Sequence, residues 1–276
     1  MNLKITDMRY KMIVLDLDGT LTNSKKEITP KTYEALMAAQ QRGVKVVLAS
    51  GRPTYRIAPL ADQLQLHKFG GYILAFNGGE IYNWETKGLV HAIVLNPEVL
   101  PYAYNCAKEN DFTILTYKDN DIICENPDDE YAPKEVKINK MGTKKVDSFL
   151  ETVDFQVAKC LIVGDSSRLV LLEQEMKAKL QETNEIYRSE PYFLEVLPKG
   201  IDKAQTLAVL LDKLGLTKEE VIACGDGFND LSMVKFAGLG VAMANAQDIV
   251  KENADYITLS NDEDGIAHVI EKFIFS

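Results

Sequence analysis

Three histidines, one tryptophan and four cysteines are spread thinly over 276 residues, and each scarcity narrows the field. The cysteines, Cys106, Cys124, Cys160 and Cys224, form no CxxC pair, and two of them lie in apolar, strand-like runs. All four read as reduced packing residues of a cytoplasmic protein. His67, His91 and His268 show no metal-ligand spacing and take surface or packing roles. No apolar run approaches the ~18 residues of a bilayer span. The first seven residues lack the apolar stretch of a secretory signal and carry Asp7. There is no internal repeat and no low-complexity segment. With 46% apolar residues the chain can build a packed core, which excludes intrinsic disorder.

Positive charge is the next shortage. The formal net charge is −10, and it is unevenly placed: +3 over residues 1–85, −6 over 86–193 and −7 over 194–276, where there is no Arg at all. A nucleic-acid binder needs a basic stripe against the phosphates, and none is visible. A small phosphorylated ligand stays admissible where local cations hold it.

The first 85 residues alternate strand and helix. Met12–Leu15 is a continuous apolar run, as expected of a strand covered on both faces. Thr29-Pro30 opens a helix that Gly43 closes, and Val44–Ala49 is a second buried strand. A helix from Pro53 to about Leu66 and a strand over Tyr72–Phe76 follow, ending in the turn-former Asn77-Gly78-Gly79. Near residue 86 the texture changes to short strands and helices, with an acidic loop at 126–130. From about residue 200 the alternation returns, with a helix over Lys203–Leu214 and a strand over Val221–Cys224. This order predicts an α/β fold, a doubly wound Rossmann-like parallel sheet. Residues 1–85 and 194–276 form that core, and 86–193 an inserted α+β cap domain.

The sharpest local signal is Asp16-Leu17-Asp18-Gly19-Thr20, directly after the first strand. Ligands of open parallel sheets bind beyond the carboxyl ends of the strands. Two acids there face a cation or each other. With Leu17 between them their side chains diverge, so one can ligate metal while the other reaches elsewhere. The competing reading is a turn capped by Asp.

This segment resembles the first motif of the haloacid dehalogenase superfamily, and the remaining motifs appear in order. Ser50-Gly51-Arg52 resembles the second, Lys199–Lys203 the third, and Gly225-Asp226-Gly227-Phe228-Asn229-Asp230 the acidic fourth. Asn77-Gly78-Gly79, the tail Ala254–Gly265 and the large α/β insertion are similar to the Cof-type phosphatases. Met243–Ala246 departs from that branch, which often has Gly before the Asn. Being remote in sequence from the acids, it is expected to leave the chemistry alone. The resemblance implies Mg²⁺ held by Asp16, Asp226 and the backbone carbonyl of Asp18. It also implies phosphate contacts from Leu17, Ser50, Gly51, Lys203 and Asn229, with Asp230 holding Lys203 or a metal-bound water.

The chemistry fits these residue types. A phosphate dianion repels a carboxylate nucleophile, so a hard cation and Lys203 are needed to neutralise it. Asp16 is then the nucleophile of an aspartyl-phosphate pathway. Asp18 protonates the leaving oxygen and afterwards deprotonates water, a role that asks for a raised pKa. Arg52 touches phosphate or braces the loop after Ser50. The expectation is a Mg²⁺-dependent phosphatase of small phosphorylated metabolites, sugar phosphates foremost, with no nucleic-acid or membrane partner. The alternatives are a phosphomutase on the same core and a non-hydrolytic phospho-acceptor or metabolite sensor. Gly164-Asp165-Ser166 mimics the fourth motif but lacks the Asn-Asp that follows it, so Asp165 is expected to cap a helix. Nothing in the sequence sets the oligomeric state.

Overall fold

The computed structural model describes residues 8–276. The chain folds as two units, one made of the residues up to Ala92 together with Ile201–Ser276, the other of Ile93–Gly200.

The first unit opens with β1 (Met12–Leu15), whose side chains are all fully buried. Ile13 and Leu15 enter one hydrophobic layer and Met12 and Val14 the other, as the twofold repeat of a strand requires. Helix α1 (Pro30–Gln41) starts where Thr29 accepts a hydrogen bond from the Thr32 amide, with Pro30 in the first turn. Gly43 follows in the left-handed region at φ 94°, and β2 (Lys45–Ala49) continues the alternation. The expected helix after Pro53 is two pieces, α2 (Thr54–Gln63) and α3 (Leu66–Phe69), because Gln65 adopts a left-handed conformation between them. After β3 (Tyr72–Ala75) come two antiparallel strands, β4 (Glu80–Asn83) and β5 (Gly88–Ala92). They carry the first unit to Ala92 rather than to 85.

The second unit contains α4 (Val99–Glu109), β6 (Thr113–Lys118), β7 (Asp121–Cys124), α5 (Ala132–Asn139), β8 (Gly142–Lys145), α6 (Phe149–Thr152), β9 (Cys160–Val163), α7 (Ser166–Leu180), β10 (Asn184–Glu190) and β11 (Phe193–Pro198). The strands form one sheet in the order β10-β11-β9-β6-β7-β8. Ile114, Cys160, Ile162, Leu194 and Val196 pack from it against α4 and α7. Strand β11 pairs with β9 and β10, so this unit ends at Gly200 and not at 193. Asp165 caps α7, accepting from the amides of Ser167 (3.0 Å) and Arg168 (3.2 Å), as its position predicted. Two ring contacts involve its tyrosines: Tyr104 stacks on Phe149 and Tyr131 on Tyr192.

The chain returns to the first unit through α8 (Lys203–Leu214), β12 (Val221–Gly225), α9 (Leu231–Phe236), β13 (Leu239–Ala242), α10 (Asp248–Glu252), β14 (Tyr256–Ile257) and α11 (Gly265–Phe273). Its sheet runs β14-β13-β12-β1-β2-β3-β4-β5, parallel from β14 to β3. Helices α1, α2 and α11 cover one face and α8 with α9 the other. All four cysteines are free and buried. Among the described residues no helix is long and apolar enough to cross a membrane.

Candidate active site

Strands β12, β1 and β2 are neighbours in the sheet, and their carboxyl ends deliver Asp226, Asp16 and Ser50 to one place, as an open α/β sheet does at its ligand-binding edge. Together with Asp18, Gly51, Arg52, Gly227, Asn229 and Asp230 they line a cleft of roughly 230 Å³. Lys203, the first residue of α8, is bonded to two of these residues from the buried side. Its ammonium is fully buried and donates to Asp16 Oδ1 at 2.7 Å, Asp230 Oδ1 at 2.5 Å and the Ala49 carbonyl at 3.0 Å.

The carboxylates divide their oxygens differently. Asp230 spends Oδ1 on Lys203 and Oδ2 on the amides of Asp226 (3.0 Å) and Gly227 (2.9 Å). Asp226 Oδ1 accepts from Thr20 Oγ1 at 2.9 Å. Asp16, Asp226 and Asp230 can each bring an oxygen to within 4.8 Å of the others. Three hard oxygen donors against one ammonium suit a divalent cation bound through oxygen. With both of its oxygens engaged, Asp230 is the least free of the three. Gly19, at φ 87°, makes the cluster possible, since a Cβ there would sit 2.4 Å from Asp226 Oδ2.

Burial raises the Asp16 carboxyl to about 7, against the opposing pull of Lys203. Asp226 is also raised, mainly by burial. Asp18 goes the other way. Its partial burial is outweighed by hydrogen bonds from Lys26 Nζ (2.7 Å) and Arg52 Nη2 (2.6 Å), both to Oδ1, which hold it below the ordinary carboxylate range. The raised pKa that an acid role asks of Asp18 is therefore absent in this arrangement. Arg52 braces Asp18 from the edge of the cleft.

The other expected contacts fall as follows. The Leu17 side chain is wholly in the core, so only its backbone reaches the loop. Ser50 is buried, and its Oγ accepts from the Arg52 amide. Gly51 packs against Asn77, whose Oδ1 accepts from Asn229 Nδ2 at 3.0 Å. Sequence reasoning missed Thr20 and Lys26, and it set Asn245 aside. Asn245 in fact donates to the Gly19 carbonyl at 2.8 Å, and Gln247 N to the Asp226 carbonyl at 2.9 Å. Distance along the chain had hidden a direct contact with the first-motif loop. A Ser/Thr or amide side chain just after a strand end was the available signal for Thr20; Lys26 and Asn245 left none.

The haloacid dehalogenase-like hydrolase family profile matches residues 13–270. The chain is 34% identical over 275 residues to the 5-amino-6-(5-phospho-D-ribitylamino)uracil phosphatase YcsE of Bacillus subtilis (strain 168), covering 99% of this chain and 100% of that protein. The crystal structure of a haloacid dehalogenase-like hydrolase from Bacteroides thetaiotaomicron is 57% identical and superposes with a TM-score of 0.85, covering 95% and 99% of the two chains. That of the subclass IIB sugar phosphatase BT4131 is 27% identical, with a TM-score of 0.71 and 96% and 100% coverage. The chain belongs to the haloacid dehalogenase-like hydrolases, in their Cof-type phosphatase branch.

Proposed function

We propose that the enzyme hydrolyses phosphate monoesters of small polyhydroxylated metabolites, sugar phosphates foremost, in a Mg²⁺-dependent reaction through an aspartyl-phosphate. The observation that carries this reading is the buried Lys203 ammonium between Asp16 and Asp230, with Asp226 beside them. Asp16, Asp226 and the Asp18 carbonyl would hold the cation, with Asp230 fixing Lys203 and the loop amides behind them. Bound Mg²⁺ supplies charge neutralisation for the phosphate dianion. Lys203 keeps Asp16 Oδ1 in place and adds a fixed positive charge for the transferring oxygens.

Asp16 attacks phosphorus, forming one P–O bond as the bond to the leaving oxygen breaks. Asp18 gives that oxygen a proton and then takes one from the water that hydrolyses the acyl phosphate. Its ionised state in this arrangement suits the second half, and the first requires a protonated Asp18 in the substrate complex. Ser50, Gly51 and Asn229 contribute donors around the phosphoryl group. Residues 93–200 serve as the cap that selects the leaving group. The names of YcsE and BT4131 give both of those proteins a phosphate on a polyol or sugar carbon, which supports the same class here.

The test is a phosphate-release screen across sugar phosphates, polyol phosphates and nucleotides, ranked by kcat/KM. Sugar or polyol phosphates should lead, and the Asp16→Asn variant and chelator-treated enzyme should release none. A preference for nucleotides would refute the substrate class, and full-rate turnover by Asp16→Asn the nucleophile. Isomerised sugar phosphate without free phosphate would identify a mutase instead.

A further inference from the structure

We propose that Lys26 is a positioning residue for Asp18, mounted on a turn that the C-terminal part of the chain holds in place; this rests on the role of Asp18 just proposed. Lys26 sits in the left-handed region at φ 64°, a conformation that costs a lysine about 1 kcal/mol. Local bonds hold it there. Its amide donates to the Asn23 carbonyl, and Asn23 Oδ1 accepts from the amides of Lys25 and Glu27 at 3.0 Å each.

Distant residues then fasten the turn. Asp262 accepts from Ser24 N at 2.8 Å and Ser24 Oγ at 2.5 Å. Asn261 Nδ2 donates to the Thr22 carbonyl at 2.9 Å, and its amide donates to Asn245 Oδ1, whose Nδ2 in turn holds Gly19. Stability does not explain so much order. The Lys26 side chain is 61% exposed and that of Asp18 39%, and ion pairs in such a setting stabilise little. What the turn does deliver is direction. Lys26 and Arg52 approach the same oxygen, Oδ1, so the carboxyl is held in one rotation with Oδ2 left clear of both cations.

The experiment compares kcat/KM for two esters. One is 4-nitrophenyl phosphate, whose nitrophenolate leaves without a proton; the other is glycerol phosphate, whose alkoxide needs one. General acid catalysis contributes roughly 10²–10⁴ in rate, so Asp18→Asn should lose about that factor on the alkyl ester and far less on the aryl ester. Lys26→Met should lose about tenfold on the alkyl ester and under threefold on the aryl ester, at an unchanged Tm. Asp262→Ala should show the same selectivity in weaker form, and Lys26→Arg should restore the alkyl ester rate. Equal losses on both esters in Lys26→Met, with Asp18→Asn selective, would overturn the role of Lys26 alone. An unselective Asp18→Asn would overturn the acid role of Asp18 itself.

Discussion

Replacing Lys203 with Met tests the centre of the site most directly. The ammonium is fully buried and answers two carboxylates and a carbonyl at 2.5–3.0 Å. Met keeps most of the volume and removes the charge, so Asp16 and Asp230 are left buried without their counter-ion. Breaking a buried pair in this way costs about 3–5 kcal/mol. In a folding unit of this size each kcal/mol moves Tm by about 2–4 °C, so the loss should be roughly 6–20 °C. The loss should also depend on pH. Burial already raises Asp16 to about 7 while Lys203 opposes the rise, and without Lys203 it climbs further. A carboxyl whose folded pKa exceeds its unfolded value favours the folded state when protonated, and that contribution is lost as pH rises through the folded pKa. The variant's deficit should therefore be small near pH 5 and larger at pH 8, above the folded pKa of Asp16 in the native protein. Thermal unfolding followed by circular dichroism in EDTA, at both pH values, measures it. A deficit under about 1 kcal/mol at pH 8, or one of equal size at both pH values, would refute the account of Lys203 as the charge partner that burial demands.

Other expectations are shorter. Mg²⁺ should raise the Tm of the native enzyme more at pH 8 than at pH 5, because Asp16 and Asp226, both raised by burial, must be ionised to bind it; differential scanning calorimetry with and without the ion checks this. Gly19→Ala should cost about 1–2 kcal/mol for its positive φ alone and lower Mg²⁺ affinity as well, since the new Cβ lands on the Asp226 carboxylate; titration calorimetry reads the affinity. Asp165→Ala should lower Tm slightly and leave kcat/KM within error, because Asp165 only caps α7. A lost activity there would mean that the Gly164-Asp165-Ser166 segment does more than end a loop. Thr20→Val should weaken Mg²⁺ binding through Asp226, whose Oδ1 it holds, with KM for substrate changing less than the metal requirement.

What the sequence made legible follows from where chemistry is written locally. Asp16 and Asp18 stand directly after four consecutive apolar residues, and Asp226 after another such run, so strand ends and acids announce each other. The two strands added beyond β3 gave no comparable signal. In β4 only Ile81 is fully buried, and Asn83 turns the chain by accepting from the amides of Glu85 and Thr86. Strand β8, Gly142–Lys145, is exposed throughout and is a strand only because β7 pairs with it. Helix α5 hides for a related reason: its buried side chains are Ala132 and Glu135, and a carboxylate satisfied by Tyr117 carries no apolar periodicity. The boundaries at 92 and 200 depend on which sheet claims β5 and β11. Strand pairing decides that, and composition does not.

The four aspartates show why residue identity alone could not assign their duties. Asp230 has both oxygens committed to an ammonium and two amides, so it organises the site and has little left to give a ligand. Asp16 shares one oxygen, Oδ1, with that same ammonium. Asp226 is tied to a single hydroxyl and lies where Gly19 alone leaves room for it. Asp18 is the only one of the four in contact with the Lys26 and Arg52 cations, and its carboxyl is shifted downward where those of Asp16 and Asp226 are raised. Neutralising Lys203 therefore disturbs Asp16 and Asp230 together and spares Asp18, whereas removing Lys26 does the reverse. The acidic surplus of the sequence is thus divided locally into groups with different partners, and each group answers to a different substitution.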